Sequence, residues 1–249
     1  MPQNQVVSMP WCLVLYLREL WGLEGTQFTL LLAAGILLCV VAAYLLGSIN
    51  TGIILSKIFF RDDVRMHGSG NAGATNMLRT YGKKFAIAPL VGDMIKAAIA
   101  VGIGYLIYQW DGAAIAGFFC VFGHMFPIYY RFKGGKGVAC SVMVIALMDP
   151  ITFAILFVCY MSIIFMTRYV SLASIMCILL YPMILHAFRP DQGIMFLCAL
   201  LMAIFVVFMH RENIMRLYHG NESKLSFKKK AEVEQPLSDG EKKESDDEQ

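Results

Sequence analysis

Three polar stretches of this 249-residue chain carry residue types that bind phosphate. The first, HGSGNAGATNMLR from His67 to Arg79, sets Gly68, Gly70 and Gly73 around Ser69. Glycines let successive backbone N–H groups converge on an anion, and Ser69, Thr75 and Asn76 add side-chain donors. Arg79 adds a planar fork that matches phosphate oxygens. The same glycine spacing spells a dinucleotide-binding turn, but that turn needs a buried strand before it and an acidic residue about 20 positions on. Here an apolar helical run and a charged linker precede it, so only the phosphate cradle survives.

The second stretch, RFKGGKGVA, offers Arg131, Lys133 and Lys136 beside a glycine pair. It is no Walker A loop, since no Ser or Thr follows Lys136. Basic residues at the end of an apolar run also serve as topological anchors, so two readings fit. The third, HRENIMRLYHGNE, places His210 and Asn213 three apart, on one face of a helix continuing from the apolar run before it. That histidine suits phosphate donation, proton transfer or simple capping. Asp93 and Lys96 fall inside an apolar run and are either a packing ion pair or a substrate contact. Ser171 and Ser174 begin another, where small polar residues also serve helix packing. The seven cysteines form no CxxC pair and no metal spacing; they read as buried thiols, with no metal and no cofactor expected.

The elements that must position these motifs are membrane helices. The chain is 58% hydrophobic and only 16% charged, with mean hydropathy +0.61, a composition of polytopic all-α membrane proteins. A small net charge of +3 with no basic helix face excludes nucleic acid as a partner. Apolar runs predict about seven spans, near 28–60, 85–108, 113–131, 137–148, 150–166, 168–187 and 193–209. The 137–148 run is too short to cross alone: it either pairs as a hairpin with the next about Asp149 and Pro150 or lies partly embedded, buried in protein. With the N-terminus outside, only Arg18 and Arg189 of the 21 Lys and Arg face outward, and Lys57 and Lys96 lie within spans. All the others, and all three motifs, then face the cytoplasm, as does the C-terminus. Residues 1–27 form an N-terminal extension whose Trp11, Tyr16 and Trp21 suit an interfacial helix. Residues 28–221 are the membrane domain, and 222–249 read as a charged, disordered cytoplasmic tail.

Together, GSGNAGATNMLRTYG, GHMFPIYYRFKGGKGVA and HRENIMRLYHGNE make the chain resemble the bacterial PlsY family, the acyl-phosphate:glycerol-3-phosphate acyltransferases, across roughly Ala43–Glu222. The resemblance implies transfer of a fatty acyl group from acyl phosphate to the 1-hydroxyl of sn-glycerol 3-phosphate, giving lysophosphatidic acid and phosphate in phospholipid synthesis. It implies a multi-pass protein of the bacterial inner membrane, working among membrane lipids without an obligate protein partner. Ser69 and the backbone of Asn71, Ala72, Gly73, Ala74, Thr75, Asn76 and Met77 would cradle the acyl phosphate with Lys136. Arg79, Lys136, Ser174, His210 and Asn213 would hold glycerol 3-phosphate. Ser69, Arg79, Lys136, His210 and Asn213 would be the catalytic set. Two positions depart from the family pattern: Asn50 stands where proline is usual, and Cys140 where threonine commonly follows KGVA. Acyltransferases that use acyl-CoA or acyl-carrier protein rely instead on an HxxxxD motif, which this resemblance does not call for. The rival reading is a transporter of organic phosphate, for which an inverted repeat is lacking.

Overall fold

Helices in hydrocarbon gain little by burying leucine against leucine, because lipid is equally apolar; they associate where small side chains let backbones approach. The structure, a computed structural model describing residues 12–225, follows that rule. Its elements are α1 (Leu13–Trp21), α2 (Gly25–Ser48), α3 (Thr51–Phe60), α4 (Ala74–Tyr81), α5 (Lys83–Met125), α6 (Val138–Met148), α7 (Pro150–Thr167), α8 (Val170–Phe188), α9 (Gly193–Met209) and α10 (Arg211–Tyr218). Short 3-10 turns lie at Val64–Met66 and Ile128–Tyr130.

The centre is α5, which is two helices. Its helical dihedrals fail at Tyr108 and Gln109, and the chain doubles back there. The arms 83–107 and 110–125 run antiparallel, so close that a Cβ on Gly104 would collide with the Gly112 carbonyl. α2 lies equally close along the second arm: a Cβ on Gly47 would strike the Cys120 backbone, and one on Gly123 the Tyr44 carbonyl. α9 lays Phe205 against Phe118 and Phe122, and α8 packs between α7 and α9. The outer faces expose large apolar residues such as Leu37, Ile99, Phe165 and Leu197, as lipid-facing helices do. Four helical runs are long and apolar enough to cross a bilayer, and α9 with α10, bent by 57°, makes a fifth. One of the four, Lys83–Tyr130, contains both arms of the hairpin.

The apolar stretch 28–60, expected as one helix, is broken after Ser48. Asn50 causes the restart: its side chain accepts from the Ile53 amide at 3.3 Å and caps α3. The released carbonyls of Gly47 and Ile49 accept from Lys96 Nζ at 2.9 and 2.6 Å. At the C-terminal end, the expected tail boundary at 222 also shifts. Glu222 is buried, and the Leu225 amide donates to the Arg168 carbonyl at 2.7 Å. Lys228–Lys230 and the acidic stretch beyond them lie outside the described residues, as does Trp11.

The glycine contacts predict that Gly47→Ala, which pushes a methyl into a fixed backbone, destabilises the bundle by about 1–3 kcal/mol. Thermal unfolding in detergent checks this; an unchanged midpoint would show that α2 and α5 are not so closely packed.

Candidate active site

All three motifs converge at one end of the bundle. The first loop is held from below by α3 and α4. Ser56 Oγ accepts from the Val64 amide at 3.2 Å, and Asp63 accepts from the Arg65 amide at 3.0 Å. Asp62 receives Tyr81 Oη at 2.7 Å and His67 Nε2 at 2.6 Å. The side chain of Asn76 staples the turn. Its Nδ2 donates to the carbonyls of Val64, His67 and Asn71, each at 2.9 Å, and its Oδ1 accepts from the Ser69 amide at 2.9 Å. Gly68 has φ of 56°, and a Cβ there would collide with Asn76 Oδ1. Asn76 therefore shapes the cradle and has no donor left for an anion, contrary to the expectation from sequence. The free donors are the first-turn amides of α4 at Ala74 and Thr75, with Ser69 beside them.

The second loop folds onto the end of α5. Gly134 and Gly135 donate to the carbonyls of Met125 and His124, both at 3.1 Å, and a Cβ on Gly134 would collide with the His124 carbonyl. That flat approach carries Lys136 to where its ammonium donates to Asn213 Oδ1. Arg65 ties the two loops together, reaching Tyr130 O at 3.3 Å and Lys133 O at 2.8 Å.

The third motif does not continue α9 straight on. The chain bends by 57° at His210, which still leaves His210 and Asn213 on the site side. His210 Nδ1 donates to the Val206 carbonyl at 2.8 Å, so Nε2 is free for a ligand. Glu222, assigned to the tail from sequence, braces the group. Its Oε1 accepts from Asn213 Nδ2 at 2.8 Å and Ser171 Oγ at 2.9 Å, and its Oε2 from Arg216 Nε at 2.8 Å.

These groups line one cavity of ≈ 330 Å³. Ser69, Asn71, Gly73, Ala74, Thr75, Asn76, Arg79, Lys136, Ser174, His210 and Asn213 all face it. Its other half is apolar, walled by Leu90, Met94, Val142, Ile145, Phe153 and Phe157. Ala72 and Met77 do not reach it: both are fully buried behind the loop, with Ile53, Val64 and Ala86. The α4 geometry also uses the amides of Asn76 and Met77, which donate to the Gly73 carbonyl at 3.0 and 3.1 Å. Ser171 and Ser174 both reach the cavity, Ser171 tied to Glu222 and Ser174 donating to the Val170 carbonyl at 2.9 Å.

The electrostatics favour an anionic guest. Burial, aided by the nearby Arg216 charge, pulls the Lys136 ammonium down to about 8. Burial likewise depresses His210 to about 4, so its imidazole is neutral in the empty cavity. Burial opposes the charge of Glu222, but hydrogen bonds from Arg216, Asn213 and Ser171 hold its carboxyl below the usual range. Asp93, His124 and Cys140 bring possible metal-ligand atoms within 4.8 Å of one another. Lys96 Nζ stands 2.9 Å from Asp93 Oδ1 and 3.0 Å from His124 Nδ1, so an ammonium already supplies the cation there. One HxxxxD spacing does occur, at His186–Asp191. Neither residue lines the cavity, and His186 packs on Phe196.

The sequence model of the glycerol-3-phosphate acyltransferase family matches residues 37–220. The chain belongs to that family. It is 40% identical over 186 residues to the glycerol-3-phosphate acyltransferase of Finegoldia magna, covering 74% of this chain and 93% of that one. The same-named protein of Bacillus subtilis is 38% identical over 192 residues, 77% of this chain and 98% of the relative. Among solved structures, the glycerol 3-phosphate form of PlsY (YgiH), an integral membrane glycerol 3-phosphate acyltransferase, aligns with TM-score 0.71 at 35% identity. The alignment covers 77% of this chain and 96% of that one. The lysophosphatidic acid form of PlsY aligns with TM-score 0.69 at 34% identity, over 77% and 95% of the two chains. Like that acyltransferase, this chain is a multi-pass membrane enzyme.

The lowered Lys136 predicts that anion binding by this acyltransferase depends on pH in a definite direction. Its folded-state value lies below that of a free lysine, so above about pH 8 the empty site holds a neutral amine. A bound anion must then bring back a proton. Affinity for inorganic phosphate should therefore weaken about tenfold per pH unit above that value, and Lys136→Arg should flatten the profile. Titration calorimetry from pH 7 to 9.5 tests it; a flat wild-type profile would remove Lys136 from the anion site.

Proposed function

We propose that the chain transfers a fatty acyl group from an acyl phosphate to the 1-hydroxyl of sn-glycerol 3-phosphate, yielding lysophosphatidic acid and phosphate. One observation carries this reading: a single cavity is lined both by groups suited to phosphate, from the first glycine loop with α4 and from Lys136, His210 and Asn213, and by apolar side chains of α5, α6 and α7. The α4 amides with Ser69 suit the phosphate of an acyl phosphate, whose chain fills the groove. Arg79, Lys136, Ser174, His210 and Asn213 suit the phosphate of glycerol 3-phosphate.

An acyl phosphate already carries a good leaving group, so catalysis needs alignment and charge neutralisation more than a nucleophilic side chain. The two substrates bring anionic phosphates to within a few ångströms, and Arg79 with Lys136 offsets their repulsion. As glycerol phosphate binds, the neutral His210 takes up a proton at Nε2 and becomes a donor to it. A histidine so engaged is a poor base, so the hydroxyl proton passes to an oxygen of the departing phosphate. Glu222 acts on the reaction through Asn213 and Arg216, which it holds in place.

The membrane reading completes the proposal. The site faces the cytoplasm at the inner bacterial membrane, where the cationic loops collect on one side. α1 lies at the opposite interface, its exposed Leu20 and Trp21 turned toward lipid. Phosphate release from synthetic palmitoyl phosphate by the purified enzyme tests the reaction, with and without glycerol 3-phosphate and beside palmitoyl-CoA. Glycerol-phosphate-dependent release with lysophosphatidate formed is expected, falling by more than about a hundredfold in Arg79→Ala. Turnover with palmitoyl-CoA alone would overturn the choice of donor.

A further inference from the structure

One buried hydroxyl in the cavity wall is unpartnered. Ser141, on the first turn of α6, is 3% exposed, and its Oγ has no hydrogen-bond partner among the described residues. Buried helical serines ordinarily donate back to the carbonyl four residues earlier. Ser48 does so to Tyr44 at 2.8 Å and Ser174 to Val170 at 2.9 Å. Ser141 does not, although only its amide is spent on Gly137 O, at 2.8 Å. A hydroxyl removed from water with no partner is costly, and Ser141 is one of the residues that line the cavity.

A second donor stands nearby. His124 also lines the cavity, from the second arm of α5. Its Nδ1 lies 3.0 Å from Lys96 Nζ and 3.5 Å from Asp93 Oδ1. If Nδ1 accepts from the ammonium, the ring proton sits on Nε2; if the ring is charged, both nitrogens carry one. In either state Nε2 is an N–H donor. Gly135 lets the ring come up against the loop, since a Cβ there would collide with Nε2.

The two donors stand on neighbouring helices. Gly137 abuts Val121 and Met125, and Gly117 abuts Val144, so α6 runs antiparallel to that arm of α5. Ser141 then lies about one helical turn from His124, about 6 Å along the axis. An oxygen held by two N–H or O–H donors accepts from each at about 3 Å. Ser141 and His124 stand between the phosphate end, at Lys136, and the apolar groove, at Val142 and Ile145.

We propose that Ser141 Oγ and His124 Nε2 receive the acyl carbonyl oxygen and stabilise the oxyanion that forms during transfer. This deepens, and rests on, the acyl-transfer reading. The glycerol hydroxyl oxygen bonds to the carbonyl carbon, whose π electrons move to the oxygen held by the two donors. The oxyanion then collapses, the carbon–oxygen bond to phosphate breaks, and the hydroxyl proton leaves with the phosphate. Asp93 lies on the same wall, its charge matched by Lys96.

The test is the kinetics of Ser141→Ala in the full-length enzyme in detergent, with palmitoyl phosphate and glycerol 3-phosphate both varied. The donor acts mainly in the transition state, so kcat should fall roughly ten- to a hundredfold with both KM values within about twofold. Dodecyl phosphate, which lacks the carbonyl, should inhibit wild type and variant equally. Should Ser141→Ala not fold, as judged by its thermal midpoint, Ser141→Cys keeps the size and only a weak donor and carries the same expectation. Unchanged kcat, or a raised KM with kcat intact, would overturn the assignment. If wild type uses only palmitoyl-CoA, the donor reading fails separately, and the same comparison on that thioester still decides the role of Ser141.

Discussion

Hydrocarbon offers no water to a helix that stops within it, so every carbonyl released at a break must find a donor in the protein. Here the break after Ser48 depends on one ammonium. Lys96 serves Gly47 O and Ile49 O while facing Asp93 and His124. Through those contacts a single side chain joins the end of α2, both arms of α5 and the helix end on which the Gly134–Gly135 turn rests. Breaking a buried pair by removing one partner costs about 3–5 kcal/mol. The site inherits its geometry from this junction: α3 leaves it toward the first glycine loop, and α5 delivers the second.

The two walls proposed to bind phosphate differ in how they are held. The glycine loop is fixed by neutral backbone bonds through Asn76, which need no ligand to persist. The opposite wall is a set of like charges, Lys136 and Arg216, with Glu222 between them and the neutral His210 alongside. One wall is thus preorganised by shape, and the other is completed by the charge of its guest. That division suits the proposed reaction, in which two phosphate-bearing substrates must not exchange places.

Much of this was legible in the sequence. Long apolar runs gave the helices, and polar motifs at their ends gave the shared cavity, because side chains excluded from lipid have few other places to gather. The doubling back at Tyr108 and Gln109 was readable as an interruption between two runs. Other features were not legible, for local reasons. The 28–60 run hides its break because Asn50 and the distant Lys96 make it, and hydropathy sees neither hydrogen bonds nor contacts 47 residues apart. Glu222 sits in a charged stretch, where composition argues for solvent; only its partners Ser171, Asn213 and Arg216 reveal it as buried. Asn76 looked like a donor because residue type does not show whether its hydrogen bonds are already spent. Ala72 and Met77 were carried by adjacency to the loop, while their side chains fill the small core beneath it.

The hairpin of α5 also bears on how the chain enters the bilayer. An arm holding Asp93 and Lys96 alone would carry two charges into hydrocarbon, at about 3 kcal/mol for each. The charges face each other at 2.9 Å, and their remaining neighbours, His124 and the carbonyls ending α2, belong to other segments. With only Tyr108 and Gln109 between the arms, the second follows the first almost at once. The two arms and the end of α2 therefore form one polar unit, and that centre is sheltered from lipid only when all three are in place.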